Sequence, residues 1–443
     1  MTIMKTSWLQ FLKYTLYKGY LRLVHETLLV RHRYTLGLEN LPDYGEHYFI
    51  VANHQNTAND PLNITFALPL HYHVNALARA NVFSIHPLMT RFFYWIGLLP
   101  AYRIGWEGGE GIEQNFRSFD QVADRINSGQ PVIVFPEAGH TQGHYLGRFT
   151  TGTVRMAFYV AKADGFREDV KIVPTAHHYS DYFDIQTDIL WHVGEPISLK
   201  PYYAAFQEHP NSVMRNITRE LHARIQAMML DEGIEDYEAK DFLRNSSLNT
   251  LRRADTPLPD RLAADQRFAR LLNEHPSYQE IISLATELRQ HEERLGLDEP
   301  TLLQHPTWWQ AAAGIVLLLL LLPLWIVSLW PHGICYYMPT LLLKSDKMFT
   351  NSYRYILSAV ILYPLFGVLT LLVMGLVWGW WWQALLWVLL WLPTGRFAWA
   401  YFCLLRRTRH ALHYLCASRA DLQAIEALQH RISTFLNNQP HES

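Results

Sequence analysis

The sequence predicts an α/β domain with a mostly buried sheet flanked by helices. An N-terminal interfacial helix precedes it and C-terminal transmembrane helices follow it. Three observations predict this fold class: an amphipathic N-terminal pattern, short apolar runs alternating with helical patterns from Tyr34 to about Leu230, and long uncharged runs in the C-terminal third. With 443 residues, 49% of them hydrophobic, the chain can form a soluble core of about 200 residues and a membrane region.

Residues 1–32 are predicted to form an amphipathic helix. Lysines separate apolar residues that recur at helical spacing, namely Trp8, Phe11, Leu12, Leu16, Tyr20, Leu23 and Val24. Such a helix can lie in the headgroup layer of a membrane, or it can pack on the protein's own core, and the sequence leaves both open. The segment lacks the continuous apolar core of a cleavable signal peptide.

Residues 33–230 form the predicted α/β domain. Its predicted strands are the apolar runs 48–52, 74–78, 132–135, 172–175 and 189–193. Residues 231–306 are charged and helical in pattern, with breaks at Pro257 and Pro259, and predict a helical extension or linker.

Residues 307–410 are predicted to be a transmembrane region, followed by a helical tail at 411–443. No charged residue or histidine lies between Tyr355 and Gly395 or within 311–330. A span needs about 20 apolar residues, so the longer run can hold two crossings and the shorter run one. This predicts an integral membrane protein.

The tryptophans on either side of Gly379 suit a hairpin tip at the membrane interface. Basic residues flank the long uncharged run on both sides, which predicts that both ends face the cytoplasm: Lys344, Lys347, Arg354, Arg396, Arg406, Arg407 and Arg409. We expect the main domain to lie on the cytoplasmic side as well. The membrane would be the cell membrane in a bacterium or the endoplasmic reticulum in a eukaryote. The chain would then have to return within 331–343 after the shorter run, so a re-entrant or shallow segment is one solution.

The overall composition excludes some partners. The net charge of −2 gives no reason to expect nucleic acid. Cys335, Cys403 and Cys416 show neither metal-type spacing nor a pairing pattern, which favours a reducing environment for the main domain.

The candidate catalytic pair is His54 and Asp60. They follow the apolar run 48–52, so the turn after a buried strand would present the imidazole to a substrate hydroxyl. An acid at this distance can hold the other ring nitrogen and raise the basicity of the imidazole. The Asp60-Pro61 pair also resembles a helix start, with Asp60 as N-cap, and the two roles are compatible.

Three further clusters lie at predicted strand ends, where sites in α/β sheets usually occur. One runs from Gly97 to Arg103, the second from Phe135 to Thr141, and the third is Val173-Pro174-Thr175.

Together these four segments resemble the glycerolipid acyltransferase family, the membrane enzymes that acylate glycerol 3-phosphate and lysophosphatidic acid. The Asn-His and Asp motif falls on His54 and Asp60, and the Gly-to-Arg motif falls on Gly97 and Arg103. The Phe-Pro-Glu-Gly motif falls on Phe135, Pro136 and Glu137, and the Val-Pro motif on Val173 and Pro174. The resemblance covers roughly residues 30 to 220.

The chain departs from the family pattern at two places. Five residues separate His54 from Asp60 instead of four, which is similar to the branch that acylates glycerol 3-phosphate and dihydroxyacetone phosphate. Either Asp60 or Asn59 can then be the orienting partner, and we favour Asp60. Ala138 replaces the usual glycine of the third motif and Gly139 follows it.

The resemblance implies acyl transfer from acyl-CoA or acyl-carrier protein, with His54 as general base. The chain has no Gly-x-Ser-x-Gly elbow and no cysteine near His54, which favours direct transfer without a covalent acyl-enzyme. Arginine suits the acceptor phosphate, so Arg103, then Arg79 and Arg148, are the predicted phosphate ligands. Glu137 and Gly139 complete the predicted substrate-binding set, and no cofactor is expected.

Lysophosphatidic acid is the predicted acceptor, because a membrane-bound site suits a substrate already in the bilayer. The longer spacing favours glycerol 3-phosphate as the alternative. A catalytically silent lipid-binding or scaffold protein is an alternative of another class, which the altered third motif permits. His140, His144, His177 and His178 raise the question of zinc, but no HExxH or Cys/His spacing supports a metal site.

Overall fold

The structure is a computed structural model of the chain. It describes residues 8–84, 86–102, 108–137, 139, 143–253, 256–342 and 350–437.

One mixed sheet forms the centre of the protein. The described residues contribute eight strands to it: β1 (Val30–Leu36), β2 (Tyr48–Ala52), β3 (Asn75–Arg79), β4 (Leu98–Ala101), β5 (Val132–Val134), β6 (Lys171–Tyr179), β7 (Thr187–Val193) and β8 (Ile197–Ser198). The order is β1-β7-β6-β2-β5-β3-β4, and β8 pairs with β6. Strands β2 to β6 run parallel to one another, while β7 and β8 are antiparallel to β6. The carboxyl ends of β2 to β6 therefore point toward the same edge of the sheet.

Helices cover both faces of this sheet. In chain order they are α1 (Trp8–Leu28), α2 (Asn59–Ala67), α3 (Pro87–Trp95), α4 (Gly108–Asn127), α5 (Gly152–Ala163), α6 (Tyr203–Glu208) and α7 (Pro210–Met228). All five residues of β2 are buried, with Phe49 and Val51 in one apolar cluster and Tyr48, Ile50 and Ala52 in another. This two-sided burial explains why a continuous apolar run predicts a central strand.

The α/β fold predicted from the sequence is confirmed, with differences at individual strands. The predicted runs 48–52, 74–78, 132–135, 172–175 and 189–193 correspond to β2, β3, β5, β6 and β7. Strand β1 was not predicted because it is a partly exposed edge strand with the charged sequence VRHRYTL. The predicted boundary at residue 32 falls inside it.

The helical extension consists of α8 (Tyr237–Asn245), α9 (Leu258–Asn273), α10 (Tyr278–Leu295) and α11 (Glu299–Gln304). Its apolar cluster includes Leu243, Ile281 and Leu288, together with Ile425 and Ile432 from the C-terminal tail. The tail therefore packs on the extension.

The C-terminal region is helical. They are α12 (Trp308–Leu342), α13 (Thr350–Tyr355), α14 (Tyr363–Leu372), α15 (Trp381–Leu389), α16 (Trp391–Cys416) and α17 (Arg419–Asn437), with π-helical turns at Ile356–Leu362 and Val373–Val377. Among the described residues, Trp308–Pro339 and Ser352–Val377 are long and apolar enough to cross a membrane. A third span results if the bent pair Trp381–Leu389 and Pro393–Cys416 counts as one. The predicted boundary at residue 410 falls inside α16.

Helix α1 lies between the sheet domain and the C-terminal helices. Leu21, Val24 and Leu28 share one apolar cluster with Tyr179 of β6 and Tyr355 of α13. Its opposite side leaves Phe11, Leu16 and Leu23 exposed, at 42%, 65% and 54%. The helix thus packs on the protein's own core and also presents an apolar surface.

Candidate active site

The predicted site residues converge on the carboxyl edge of the parallel strands. His54 lies just after β2, Glu137 lies just after β5, and Arg79 ends β3. This is the edge at which α/β sheets commonly bind ligands.

His54 and Asp60 form the centre of this edge. Nδ1 of His54 lies 2.8 Å from Oδ2 of Asp60. A carboxylate can only accept, so Nδ1 is the protonated nitrogen of the neutral imidazole and Nε2 is the basic one. The side chain of His54 keeps 17% of its surface exposed, whereas Asp60 is fully buried. The pair therefore has the geometry of a general base and its orienting acid.

Asp60 accepts three further hydrogen bonds. The backbone amides of Gln55 and Asn56 donate to Oδ2 at 2.9 and 2.8 Å, and the hydroxyl of Tyr179 donates to Oδ1 at 2.5 Å. Burial alone would raise the pKa of Asp60, but the hydrogen bonds from His54 and Tyr179 hold that pKa below its usual value. Asp60 therefore stays ionised beside the imidazole at neutral pH.

Asp60 occupies the first turn of α2, which begins at Asn59 after an N-cap position at Ala58. The prediction that Asp60 is the N-cap of this helix is therefore wrong, because the N-cap is Ala58. Its carboxylate turns back to the amides of the preceding loop and contacts His54, whereas the side chain of Asn59 bonds Asn56.

Asn53 fixes the start of the loop. Its side chain donates to the carbonyl of His177 at 3.1 Å and accepts from the amide of His177 at 2.7 Å. Strand β6 continues beyond the end of β2, where Ala52 pairs with Thr175. The Asn53 side chain thus extends the hydrogen bonding between these two strands by one step.

Glu137 holds two backbone segments together. Its Oε1 accepts from the amide of His54 at 2.7 Å, and its Oε2 accepts from the amide of Gly147 at 2.9 Å. Burial raises the pKa of Glu137 to about 7, although both amide hydrogen bonds oppose that rise. Next to it, the ring of Phe135 stacks on His54 with centroids 4.1 Å apart. Both residues after β5 therefore act on the position of His54.

The remaining predicted ligands are less confined. Arg79 and Arg148 are exposed, and open space surrounds Gly139, where an added Cβ would meet nothing within 4 Å. Arg103 lies outside the described residues. The structure thus brings His54, Asp60 and Glu137 together and leaves the two described arginines at the surface.

Sequence reasoning missed the role of Tyr179. The predicted strand ended at Thr175, whereas β6 continues to Tyr179. The alternation of His177 and Tyr179 along an extended strand could have placed both on the face that carries Asp60.

A separate polar cluster joins the domain to α8. Ligand atoms of His144, Glu232 and Asp241 lie within 4.8 Å of one another. The buried guanidinium of Arg244 forms ion pairs with both carboxylates, at 2.9 Å in the case of Glu232. Since this cation already pairs with both acids, we interpret the cluster as a structural ion-pair network. His177 and His178 are buried in β6, and His140 lies outside the described residues.

One family model matches part of this chain. The family model for acyltransferases matches residues 33–178, the range that includes His54, Asp60 and Glu137. Comparison with curated proteins gives no match. Among solved structures, the 1-acyl-sn-glycerophosphate acyltransferase PlsC from Thermotoga maritima is similar over 48% of this chain and 97% of its own, with 13% identity and a TM-score of 0.30. At that identity and TM-score, the substrate of the Thermotoga enzyme is not carried over to this chain.

Proposed function

We propose that this chain, an acyltransferase by the match of its residues 33–178, moves a fatty acyl group from acyl-CoA or acyl-carrier protein to 1-acylglycerol 3-phosphate. The product would be phosphatidic acid, an intermediate of phospholipid biosynthesis. The observation that carries the proposal is the hydrogen bond between His54 Nδ1 and the buried carboxylate of Asp60. It leaves Nε2 as the base that an acceptor hydroxyl needs.

In the proposed reaction, Nε2 of His54 takes the proton of the acceptor hydroxyl as its oxygen attacks the thioester carbonyl. The carbon–sulfur bond then breaks, and the departing thiolate recovers that proton from the imidazolium. Asp60 stabilises the imidazolium in between, because it stays ionised and hydrogen-bonded to Nδ1. The balance is one ester formed and one thiol released, with no covalent acyl-enzyme and no cofactor.

The acceptor phosphate would bind to cationic groups at the same edge of the sheet. Arg103 remains our first choice, and Arg79 at the end of β3 is the described candidate on that edge. Arg148 is exposed after the Glu137 segment. Glu137 already accepts hydrogen bonds from two backbone amides. We therefore assign it the positioning of His54 as its main role, ahead of substrate binding.

A membrane acceptor is favoured by the neighbourhood of the site. Helices apolar enough to cross a membrane share a core with the sheet domain, which would keep the site near the bilayer. We place this domain on the cytoplasmic side, because basic residues flank the apolar region. Protease accessibility of the domain in sealed, oriented vesicles would test that placement.

Glycerol 3-phosphate is the second candidate acceptor, favoured by the five residues between His54 and Asp60. The test is acyl transfer from labelled acyl-CoA by the detergent-purified protein, with the two acceptors offered separately and a chelator present. Product with one acceptor alone decides between them. If neither acyl-CoA nor acyl-carrier protein gives product, and wild type and His54→Ala bind lipid equally, the result would support the alternative of a catalytically silent lipid-binding protein.

A further inference from the structure

We propose that Ser352, in the C-terminal apolar region, is a positioning residue for the active-site loop between His54 and Asp60. The C-terminal helices would then be part of the catalytic unit as well as candidate membrane spans. This inference rests on the proposed function. The effect of Ser352 on the conformation of the loop can nevertheless be tested without measuring acyl transfer.

The loop has an unusual conformation. Its Thr57 has a φ of 45°, in the left-handed region that branched side chains such as threonine rarely adopt. Two backbone hydrogen bonds close the turn, from Asn59 to Asn56 at 2.9 Å and from Asp60 to Thr57 at 3.4 Å. A residue in this region persists only when its surroundings hold it there.

Ser352 supplies such a hold. Its hydroxyl bonds the hydroxyl of Thr57 and donates to the carbonyl of Asn56 at 3.2 Å. Since a serine hydroxyl has one proton, donation to Asn56 leaves Thr57 as the donor in the other bond. Both side chains are buried, with Ser352 only 2% exposed and Thr57 only 6%. Water is thus a poor substitute for either partner.

The helix that carries Ser352 is itself anchored. Two residues further on, Arg354 donates to the carbonyls of Tyr336 at 3.1 Å and Phe183 at 2.8 Å. The next residue, Tyr355, donates to the carbonyl of Leu21 in α1 at 3.2 Å. Ser352 therefore projects from a fixed element onto the loop.

The loop transmits this contact to the catalytic pair. The amides of Gln55 and Asn56 both donate to Asp60, and Asn56 and Thr57 are the residues that Ser352 contacts. Release of the loop would move these donors and change the orientation of Asp60 toward His54. The expected defect is in kcat, with little change in the KM of either substrate.

The test compares Ser352→Ala with Ser358→Ala in the full-length purified protein. Ser358 is equally buried and only six positions along the same segment, but its hydroxyl bonds the carbonyls of Arg354 and Tyr355 in its own helix. Alanine is a good helix former, so neither change disfavours the helix. We expect Ser352→Ala to lower kcat about tenfold, because the loop loses a buried hydroxyl and its hydrogen bonds to Thr57 and Asn56. Ser358→Ala should leave kcat nearly unchanged.

Changes at Thr57 complete the experiment. Thr57→Val removes the hydroxyl at constant shape and should lower kcat as Ser352→Ala does, whereas Thr57→Ser should remain close to wild type. The double variant Ser352→Ala with Thr57→Val should be no slower than the slower single variant, because both remove the same contact. Additive losses, or an equal loss in Ser358→Ala, would overturn the proposal.

Hydrogen exchange of the peptide 54–60 separates this inference from the proposed function. We expect its amides to exchange faster in Ser352→Ala than in wild type or Ser358→Ala, whatever reaction the protein catalyses. If wild type transfers no acyl group, the proposed function fails while this measurement still decides the structural claim. Unchanged exchange in Ser352→Ala would refute the positioning role.

Discussion

Tyr179 donates a hydrogen bond of 2.5 Å to Oδ1 of Asp60, on the opposite side of the carboxylate from His54, which contacts Oδ2. Tyr179 in turn accepts a hydrogen bond from Asn63 of α2 at 2.5 Å. Burial and the adjacent Asp60 raise the pKa of Tyr179 well above its usual value, so the tyrosine remains a donor throughout the working pH range. The orienting acid is thus held from strand β6 as well as from its own loop.

Tyr179→Phe should slow the reaction without preventing substrate binding. The ring and its packing are kept, but Asp60 loses one of its hydrogen-bond donors. We expect kcat to fall about ten- to a hundredfold, the range for one lost hydrogen bond to a charged group. Steady-state kinetics would check this, and an increase in KM with unchanged kcat would contradict it.

His54→Ala should abolish most acyl transfer. A general base contributes about 10²- to 10⁴-fold, and kcat should fall by a factor in that range. Single-turnover acyl transfer by folded protein is the measurement, with thermal unfolding as the control for structure. A variant that retains most of the wild-type rate would rule out His54 as the base.

Arg103→Ala should raise the KM of the phosphate acceptor more than the KM of the acyl donor. A charge-assisted hydrogen bond contributes about 1.5 to 3 kcal/mol, which corresponds to roughly ten- to a hundredfold in KM. Arg79→Ala and Arg148→Ala, measured in parallel, rank the three arginines. Equal effects of Arg103→Ala on both substrates would contradict phosphate binding.

Glu137 should make stability depend on pH. Burial raises its pKa in the folded protein to about 7, from a usual value of 4.5. Between these two values the folded state binds more protons than the unfolded state, so its contribution to the free energy of unfolding falls as pH rises. Thermal unfolding in detergent across this interval should show a smaller decline for Glu137→Gln than for wild type. Identical pH dependence of the two proteins would contradict the raised pKa.

Removal of residues 307–443 should do more than release the protein from membranes. It would expose the apolar cluster that Leu21, Phe66 and Tyr179 form with Tyr355 and Trp399. We expect the truncated protein to aggregate and to lose acyl transfer, which size-exclusion chromatography and activity assays would detect. A monomeric, fully active truncation would show that the C-terminal helices are dispensable for the site.

The sequence predicts the central strands of the sheet well, because a strand that is buried on both faces is marked by a continuous apolar run in its own sequence. The run 48–52 is apolar throughout, and it forms a strand covered on both faces. The proximity of His54 and Asp60 follows from their short separation along the chain and from the strand that precedes them. Edge strand β1 is charged and exposed, so its pairing with β7 depends on the tertiary structure.

Contacts between distant parts of the chain could not be predicted, because no pattern in the sequence near either residue indicates its partner. Tyr179 reaches Asp60 across 119 positions and Ser352 reaches Thr57 across 295. A tyrosine after a predicted strand or a serine at the start of an apolar helix is common, and nothing near either residue identifies its partner. The contact from Ser352 supports Thr57 at its positive φ.

The contact between Thr57 and Ser352 sets an order of events during biosynthesis. The ribosome makes the amino-terminal part of a chain first, and domains generally fold in that order. Ser352 leaves the ribosome only after the whole sheet and the helical extension have been made, because 295 positions separate it from Thr57. A nascent chain therefore acquires this support of its His54–Asp60 loop late in translation, when the segment that carries the candidate membrane spans is being made.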